Sequence, residues 1–345
     1  YESKSGERGI FSRASAQKKA AENGRRESNW DFGTNPCSEI ILRPNQFCNL
    51  TEIVVRAGDT INTLTRKIKV ATLLGTIQST FTNFGYLRKV WQDNTEEERL
   101  LGVSLTGIMD SELLNGKETG LAKTLEKLKK VAVDCNKEYA EKFNINQSTA
   151  ITCVKPSGTV SQLVDSASGI HARHNPYYIR TVRGDNKDPL TEFMKSCGIP
   201  NEPDVMKTEH TTVFSFPMKA PSGSVCRTDM TAIEQLEIWK TYAKHWCEHK
   251  PSVTISVKEE EWVPVGAWCW ENFEYLSGVS FLPFSDHTYQ QAPYQDIDEK
   301  TYKELVKAMP SSINWAKLKD FEKEDNTKGS QELACTAGVC ELVDI

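Results

Sequence analysis

Short apolar stretches alternate along this chain with longer amphipathic segments, and this alternation restricts the possible folds more than any other feature. The apolar stretches have the length of β-strands, and the intervening segments have the length and periodicity of helices. Such alternation is typical of an α/β protein with parallel strands, in a sheet covered on both faces. Ser15 is expected to cap the first helix and Gly24 to end it. The predicted strands are residues 47–55, 101–108, 150–154, 212–217, 252–257 and 278–283, and the predicted helices are residues 14–27, 121–143 and 230–247.

The composition argues against two classes of function. With 38% hydrophobic and 26% charged residues, the 345-residue chain has the balance of a soluble globular protein with one large core or two ordinary domains. Its net charge of −5 is spread over both signs, so no surface for a nucleic-acid polymer is expected. The apolar runs are too short to span a membrane, and we expect no membrane association.

Ten cysteines are scattered over the chain, and its polar, basic start is not a secretory signal. We therefore expect a cytoplasmic protein with reduced cysteines, most of them small buried side chains. The chain begins at Tyr1 rather than at a methionine, which we interpret as a truncation, a split gene product or a processed junction. The cysteines interpreted as buried are Cys135, Cys153, Cys197, Cys226, Cys247 and Cys269.

A first group of chemically active side chains is Asn35, Cys37 and Glu39, followed by Cys48. Pro36 fixes its own backbone and favours an extended Asn35, so a stiff loop is predicted. In an extended segment, alternate residues point the same way, which would place the amide, the thiol and the carboxylate on one face. Together they could bind and deprotonate a polyhydroxyl substrate. The alternative is a loop with a buried cysteine; a zinc site is disfavoured because no Cys-x-x-Cys pair or nearby histidine is present.

A second group, Cys335 and Cys340, closes a charged and small-residue stretch that begins at about Lys317. The composition of residues 320–331 predicts a flexible tether. Two thiols on a mobile arm can carry reducing equivalents between a deep site and an external reductant. A metal-binding tail or an incidental pair of cysteines is the alternative.

A third group, Pro156, Ser157, Gly158 and Thr159, follows the predicted strand 150–154 and begins with Lys155. A strand followed by Ser-Gly-Thr and an apolar segment can present free N–H groups and hydroxyls at a helix start, where a phosphate binds. The Gly-x-x-x-x-Gly-Lys pattern of a Walker loop is missing. A helix with an ordinary N-cap is the alternative.

In this order, the three groups resemble the large chain of ribonucleotide reductases. The family has an Asn-x-Cys-x-Glu finger loop, a second cysteine shortly after it, a Pro-Ser-Gly-type phosphate loop and a C-terminal Cys-x-x-x-x-Cys pair. The phrases that carry the resemblance to the monomeric, adenosylcobalamin-dependent class II enzymes, above all those acting on triphosphates, are GTNPCSEIILRPNQFCNLTEIVVR, LLGVSLTGIMDS, KPSGTVSQLVDSASGIHARH and SFLPFSDHTYQQAPYQ. Residues 280–284 lack the tyrosine pair of class I, and the tail lacks the glycyl-radical motif of class III.

The resemblance implies a fold and a division of the chain. Residues 1–316 would form the C-terminal half of a ten-stranded α/β barrel with a central finger loop at residues 33–48. Residues 317–345 would form a flexible redox tail. The N-terminal half of the barrel, which supplies the partner of Cys48 in the family, would be missing and would be required in cis or in trans.

The resemblance also implies roles for single residues, with adenosylcobalamin as cofactor. Cys37 would become the thiyl radical that removes the ribose 3′ hydrogen, Glu39 would accept the 3′-hydroxyl proton, and Asn35 would hold the sugar. Cys48 would be one half of the reducing dithiol. Cys335 and Cys340 would re-reduce that dithiol and be recharged by thioredoxin or a similar protein. The substrate phosphates would bind at Pro156, Ser157, Gly158 and Thr159.

Three other interpretations stay open from the sequence. The chain could be part of a class I large subunit with an altered radical path. It could be a thiol–disulfide relay or binding module in which only Cys335 and Cys340 react. It could also be a vestigial fragment without activity.

Overall fold

The computed structural model describes residues 9–284, 290–322, 333–336 and 339–342. Two compact units are present, one formed by residues 1–173 and 221–284 and the other by residues 174–220 and 285–345. Among the described residues, no helix is both long enough and apolar enough to cross a membrane. The boundary predicted at residues 316 and 317 is not tested by this division and stays a prediction.

The helices of the described residues are numbered in chain order. They are α1 (Arg13–Ala21), α2 (Ile61–Gln78), α3 (Lys89–Glu98), α4 (Leu121–Phe143), α5 (Thr159–Leu163), α6 (Pro189–Ser196), α7 (Ala232–His245), α8 (Trp262–Glu271) and α9 (Glu299–Ala308).

The strands are numbered in the same way. They are β1 (Gly9–Ile10), β2 (Gly33–Thr34), β3 (Ile41–Leu42), β4 (Asn49–Val54), β5 (Leu101–Thr106), β6 (Thr152–Cys153), β7 (Tyr177–Asp185), β8 (Asn201–Pro203), β9 (Thr211–Lys219), β10 (Thr254–Val257), β11 (Val279–Pro283), β12 (Tyr294–Asp296), β13 (Leu333–Thr336) and β14 (Val339–Leu342).

The first unit contains the parallel sheets that the sequence predicts. Strands β4, β5 and β6 pair in parallel in that order, and β10 pairs in parallel with β11. A parallel bridge between Val154 and Pro251 links the two groups of strands. Helices lie between successive strands because parallel neighbours require a crossover connection. The α/β class is thereby confirmed for this unit; among the described residues the strands do not close into a barrel.

The core of the first unit explains why its strands are so apolar. All six residues of β5 are buried, as expected for a strand covered on both faces. Helix α4 has the bounds predicted from its periodicity and packs Leu125, Leu128 and Ala132 into the core. The largest fully buried side chains of this core, Trp239, Tyr242 and Trp246, come from the second half of α7 and the residue after it.

The second unit departs from the predicted parallel arrangement. Its sheet has the order β12-β7-β9-β8, and every pairing in it is antiparallel. The strand predicted at residues 212–217 lies in this sheet, so the expectation of parallel strands is wrong there. Strand direction depends on which partner is adjacent, and an apolar run alone does not reveal it. Leu318 and Phe321 pack against the small core around Phe193, although the tether was predicted to begin at Lys317.

Two local predictions also need correction. Helix α1 ends at Ala21 rather than continuing to residue 27, and its N-cap is Ser12, which accepts a hydrogen bond from the N–H of Ser15. Ser15 therefore lies inside the helix. Gly24 comes three residues after the helix, with a positive φ of 70°. Residues 323–332, most of the predicted tether, lie outside the described residues.

Candidate active site

The turn that carries Cys37 is held by a short antiparallel ribbon. Strands β2 and β3 pair Gly33 with Leu42 and Thr34 with Ile41, so residues 35–40 form the tip between them. The N–H of Ser38 donates to the carbonyl of Asn35 over 2.8 Å, which closes a turn. The predicted extended segment is therefore a turn, because the ribbon requires the chain to reverse there.

The turn brings Asn35 and Glu39 together, although the predicted contact relied on an extended backbone. The Asn35 amide Nδ2 donates to Glu39 Oε1 over 2.7 Å, and its Oδ1 accepts from the N–H of Ile40 over 3.0 Å. Glu39 is fully buried, and its second oxygen, Oε2, has no hydrogen-bond partner. Cys37 is exposed at the tip. A buried carboxylate oxygen without a partner is costly and calls for an explanation at this position.

Lys155, two residues after β6, joins this cluster. Its Nζ lies 3.1 Å from Glu39 Oε1, and its side chain is 30% exposed. Burial by itself lowers the pKa of Lys155, but the Glu39 carboxylate and, more weakly, Cys37 outweigh it, and the pKa is raised above its ordinary value. Sequence reasoning gave Lys155 no role. Its only signal was its place between a buried strand and the predicted phosphate loop.

Lys250 contacts the same turn from the segment before β10. It is 1% exposed, its Nζ donates to Ser38 Oγ over 2.8 Å, and it also donates to the carbonyl of Ser277. Burial lowers the pKa of Lys250 to about 7, with the Glu39 carboxylate acting in the opposite direction. Sequence reasoning missed this residue. The available signal was a lysine directly before a predicted buried strand.

Cys48 lies directly before β4 and is half-buried. Burial raises the pKa of the Cys48 thiol, the Glu39 carboxylate raises it further, and Arg26 opposes both. The thiol is therefore protonated at neutral pH. The Glu39 carboxylate acts on Cys48, so the thiol lies close enough to the turn to experience its charge.

The predicted phosphate loop begins after β6 and leads into the short helix α5. Gly158 is the N-cap residue, with φ 53°, and no side chain caps the helix, so the alternative of an ordinary side-chain cap is not what forms. The Ser157 hydroxyl donates to Glu52, and the Ser157 N–H donates to Ser168 Oγ over 2.9 Å. Burial raises the pKa of Glu52, although its bond from Ser157 and the charge of Lys155 work against this.

Cys335 and Cys340 lie on opposite strands of a two-stranded ribbon. Strands β13 and β14 are antiparallel, and the Cα atoms of these two residues are direct partners in the register. Direct partners in such a ribbon have Cα atoms about 4.5 to 5.5 Å apart, a separation that a disulfide can bridge. Their side chains and residues 337–338 lie outside the described residues, so the redox pair stays a prediction.

Comparison with known proteins supplies independent information. No family model matches the chain. An adenosylcobalamin-dependent ribonucleoside-triphosphate reductase of Lactobacillus delbrueckii subsp. bulgaricus is 27% identical over 90% of this chain and 45% of its own length. A probable enzyme of the same name from Dictyostelium discoideum is 29% identical over 90% of this chain and 40% of its own length.

Solved structures give the same picture. A crystal structure of a B12-dependent, class II ribonucleotide reductase matches with a TM-score of 0.71 and 25% identity, over 86% of this chain and 44% of that chain. The alpha subunit of a class Id ribonucleotide reductase from Actinobacillus ureae matches in fold, with a TM-score of 0.51 and 12% identity, over 82% of this chain and 59% of that chain. The resemblance inferred from the motifs is thereby confirmed: in sequence and in fold, this chain is similar to adenosylcobalamin-dependent, class II ribonucleotide reductases, and it spans somewhat less than half of the length of these proteins.

Proposed function

We propose that this chain supplies the radical-bearing half of an adenosylcobalamin-dependent reductase that converts ribonucleoside triphosphates to 2′-deoxyribonucleotides. The observation that carries the proposal is the buried Glu39 with its unpartnered Oε2, in the same turn as the exposed Cys37. A hydroxyl group that enters beside Cys37 would satisfy this oxygen. The names of the related proteins supply the reaction and the cofactor.

The exposed position of Cys37 suits a large cofactor, because the thiol is reachable from outside the fold. When bound, adenosylcobalamin supplies the radical that removes the hydrogen atom of the Cys37 thiol. The Cys37 radical then takes the ribose 3′ hydrogen, and Glu39 Oε2 accepts the proton of the 3′-hydroxyl. Asn35 holds Glu39 and keeps one amide hydrogen free for the sugar. The 2′-hydroxyl takes the proton of the Cys48 thiol and leaves as water. Once the dithiol has supplied its second hydrogen to C2′ and two electrons in all, Glu39 returns its proton to the 3′ oxygen and Cys37 returns the hydrogen atom to C3′.

Two electrons balance this reduction, and Cys48 supplies half of the dithiol that provides them. The raised pKa of Cys48 keeps it a thiol, the form that can deliver hydrogen. Oxidation joins Cys48 to a partner cysteine in a disulfide. Cys335 and Cys340 then reduce that disulfide by exchange, and thioredoxin or a similar dithiol protein reduces them.

The substrate phosphates bind at residues 156–159 in this proposal. The N–H groups of Gly158 and Thr159 lie at the start of α5, where an anion is favoured. Ser157 can join them only when its hydroxyl leaves Glu52. Phosphate binding at this loop therefore includes a change of partner for Ser157, from a carboxylate of this chain to the substrate.

The open edge of β4 supports the proposal that a second half of the barrel is required. Within the described residues β4 is the last strand of its sheet, so one edge of its backbone is open to another strand. A groove of about 810 Å³ lies along β4 and α2. Apolar side chains of α2 stand exposed beside it, with Val70 at 59% and Leu74 at 56%. An N-terminal half supplied in cis or in trans would cover this surface and complete a ten-stranded barrel.

Complementation tests the proposal. The purified chain is mixed with adenosylcobalamin, a dithiol and a ribonucleoside triphosphate, with and without the part of the Lactobacillus delbrueckii relative that this chain does not match. Deoxynucleotide is expected only in the complete mixture, and Cys37→Ser is expected to abolish it. Turnover by the chain alone would contradict the need for a second half. Product without adenosylcobalamin would favour a class I fragment.

The register of Cys335 and Cys340 gives specific support to one alternative, a thiol–disulfide relay without radical chemistry. The two functions respond differently to Cys37→Ser. In a relay, disulfide exchange by the tail accounts for all activity and survives the substitution. In a reductase, exchange survives but deoxynucleotide formation is lost.

A further inference from the structure

Residues 249–252 are hydrogen-bonded to the Cys37 turn at several successive positions. Its backbone and side chains make hydrogen bonds to consecutive parts of the turn, although more than 200 residues separate the two in sequence. These bonds run from Ile41 N–H to His249 Nδ1 (3.3 Å), from Lys250 N–H to the Glu39 carbonyl (3.2 Å), from Lys250 Nζ to Ser38 Oγ (2.8 Å) and from Ser252 Oγ to the Cys37 carbonyl (2.5 Å).

Lys250 is the most unusual member of this segment, because its side chain is buried to the tip. Its Nζ joins Ser38 of the turn to the carbonyl of Ser277, just before β11. The turn needs such a support at Ser38, whose φ of 68° is in the left-handed region that non-glycine residues seldom adopt. Gly278 leaves the space for this contact, since a Cβ there would overlap both Lys250 Nζ and Ser38 Oγ.

The charges around Lys250 do not compensate for its burial. From the turn, Glu39 is the charged group that acts on it. Lys250 forms no ion pair within 4.0 Å among the residues that the structure describes. It also lines a cavity of about 20 Å³. The titratable groups that face this cavity from α1, α7 and the residues near them are Lys18, Lys19, Glu22, Lys244, His249, Glu274 and Tyr275.

We infer that Lys250 is a positioning residue for the Cys37 turn: it ties Ser38 to Ser277 and, with its neighbours in residues 249–252, fixes the cysteine and Glu39 relative to the sheet. The importance of Lys250 for catalysis rests on the function proposed above. Its support of the turn does not, because that support involves residues of this chain alone. The side-chain amine of Lys250 donates to Ser38 of the turn and to the carbonyl of Ser277, so Lys250 acts through the turn.

The burial of Lys250 makes this support depend on pH in a defined direction. In the closed turn the amine loses its proton near pH 7, whereas an amine exposed to water keeps it up to its ordinary pKa. An opening of the turn that hydrates Lys250 therefore takes up a proton between these two pH values. Opening becomes less favourable as the pH rises above 7 and is independent of pH below it.

Hydrogen exchange of the purified chain tests the inference. In the wild type, the protection of the amides in residues 35–41, corrected for intrinsic exchange, is expected to rise about ten-fold or more between pH 7 and pH 9. In Lys250→Met, which keeps an unbranched side chain one atom shorter and removes the amine, protection is expected to be lower at pH 9 and to lose this dependence. Lys18→Met is the matched control, because it removes a positive charge beside the same cavity without touching the turn.

Ser38→Ala is the second variant, since it removes only the acceptor in the turn. It is expected to lower the protection of residues 35–41 while the rest of the chain exchanges as in the wild type. Unchanged protection in both Lys250→Met and Ser38→Ala would overturn the positioning role. The measurement uses neither cofactor nor nucleotide, so a failed complementation assay leaves its result intact. In the complemented enzyme, Lys250→Met is expected to lower kcat with little change in KM.

Discussion

Lys155 and Lys250 both contact the turn that carries Cys37, yet their surroundings give them opposite properties. Lys155 is partly exposed and paired with the Glu39 carboxylate, and its pKa is raised. Lys250 is buried, donates to a hydroxyl and a carbonyl, and has a pKa lowered to about 7. One lysine thus compensates the charge of a buried carboxylate. The other supports a backbone turn with an amine that loses its proton near pH 7.

The largest expected effect is a pH dependence that separates the two lysines. The folded state lowers the pKa of Lys250, so the unfolded chain binds more protons between pH 7 and about 10.5, and stability rises with pH in that window. Lys250→Met is expected to remove this rise, which is on the order of 4 kcal/mol as an upper bound. Urea unfolding of wild type and variant at pH 7, 8.5 and 10 measures it.

Lys155→Met gives the contrast to that prediction. A raised pKa means that the stabilisation by Lys155 is fully present below its ordinary value and is lost only as the pH rises through the higher, folded value. The difference in the free energy of unfolding between Lys155→Met and the wild type is therefore expected to stay constant between pH 7 and 9. A slope like that of Lys250→Met would show that the two sites are not distinct.

At pH 7 the two substitutions are expected to differ in the direction of their effect on stability. Lys155→Met leaves the buried Glu39 with Asn35 as its remaining partner and is expected to cost about 2 kcal/mol, less than a fully buried pair would because Lys155 is partly exposed. Lys250→Met removes a buried polar group and is expected to be neutral or stabilising. The urea midpoint at constant slope distinguishes them, and equal losses in both variants would refute the comparison.

Gly278→Ala tests the space around Lys250. A Cβ at this position overlaps the tip of Lys250, so the substitution is expected to cost about 1 to 2 kcal/mol. In a Lys250→Ala background the cost is expected to be smaller, because the obstructed side chain is gone. A double-mutant cycle gives the coupling between the two positions, and additive losses would mean that the overlap does not matter.

The smallest effect is expected at Lys18, which forms an exposed ion pair with Glu274. Lys18→Met is expected to change the free energy of unfolding by a few tenths of a kcal/mol, because exposed pairs contribute little. The same substitution in 1 M salt is expected to show no effect. A loss comparable to that of Lys155→Met would mean that charge near the cavity matters more than contact with the turn.

Some of the fold follows from local sequence patterns. Helix α4 has the predicted bounds because its apolar spacing marks one face along its whole length. The fully buried β5 was predicted from its mostly apolar sequence. Helices α2, α3, α6, α8 and α9 were not predicted. Helix α1 was predicted too long, because the end of a weakly amphipathic helix depends on what packs against it.

The candidate site likewise combines features that follow from the sequence with features that do not. Asn35, Cys37 and Glu39 are near one another in sequence, and their residue types alone indicated a reactive loop. The predicted extended geometry was nevertheless wrong, because the pairing of β2 with β3 turns the chain at that point. The open carboxylate oxygen of Glu39 and the contact between Ser157 and Glu52 were not predictable, since both depend on residues brought together from distant strands.

The sequence by itself determined which residue types are available for chemistry, the class of the fold and the family that the chain resembles, because motifs and periodicity are local. Tertiary structure decided which of those residues meet. Lys155 is 116 positions from Glu39, and Lys250 is 212 positions from Ser38. Burial and partners, which set the pKa of each lysine, exist only after such distant segments have packed together.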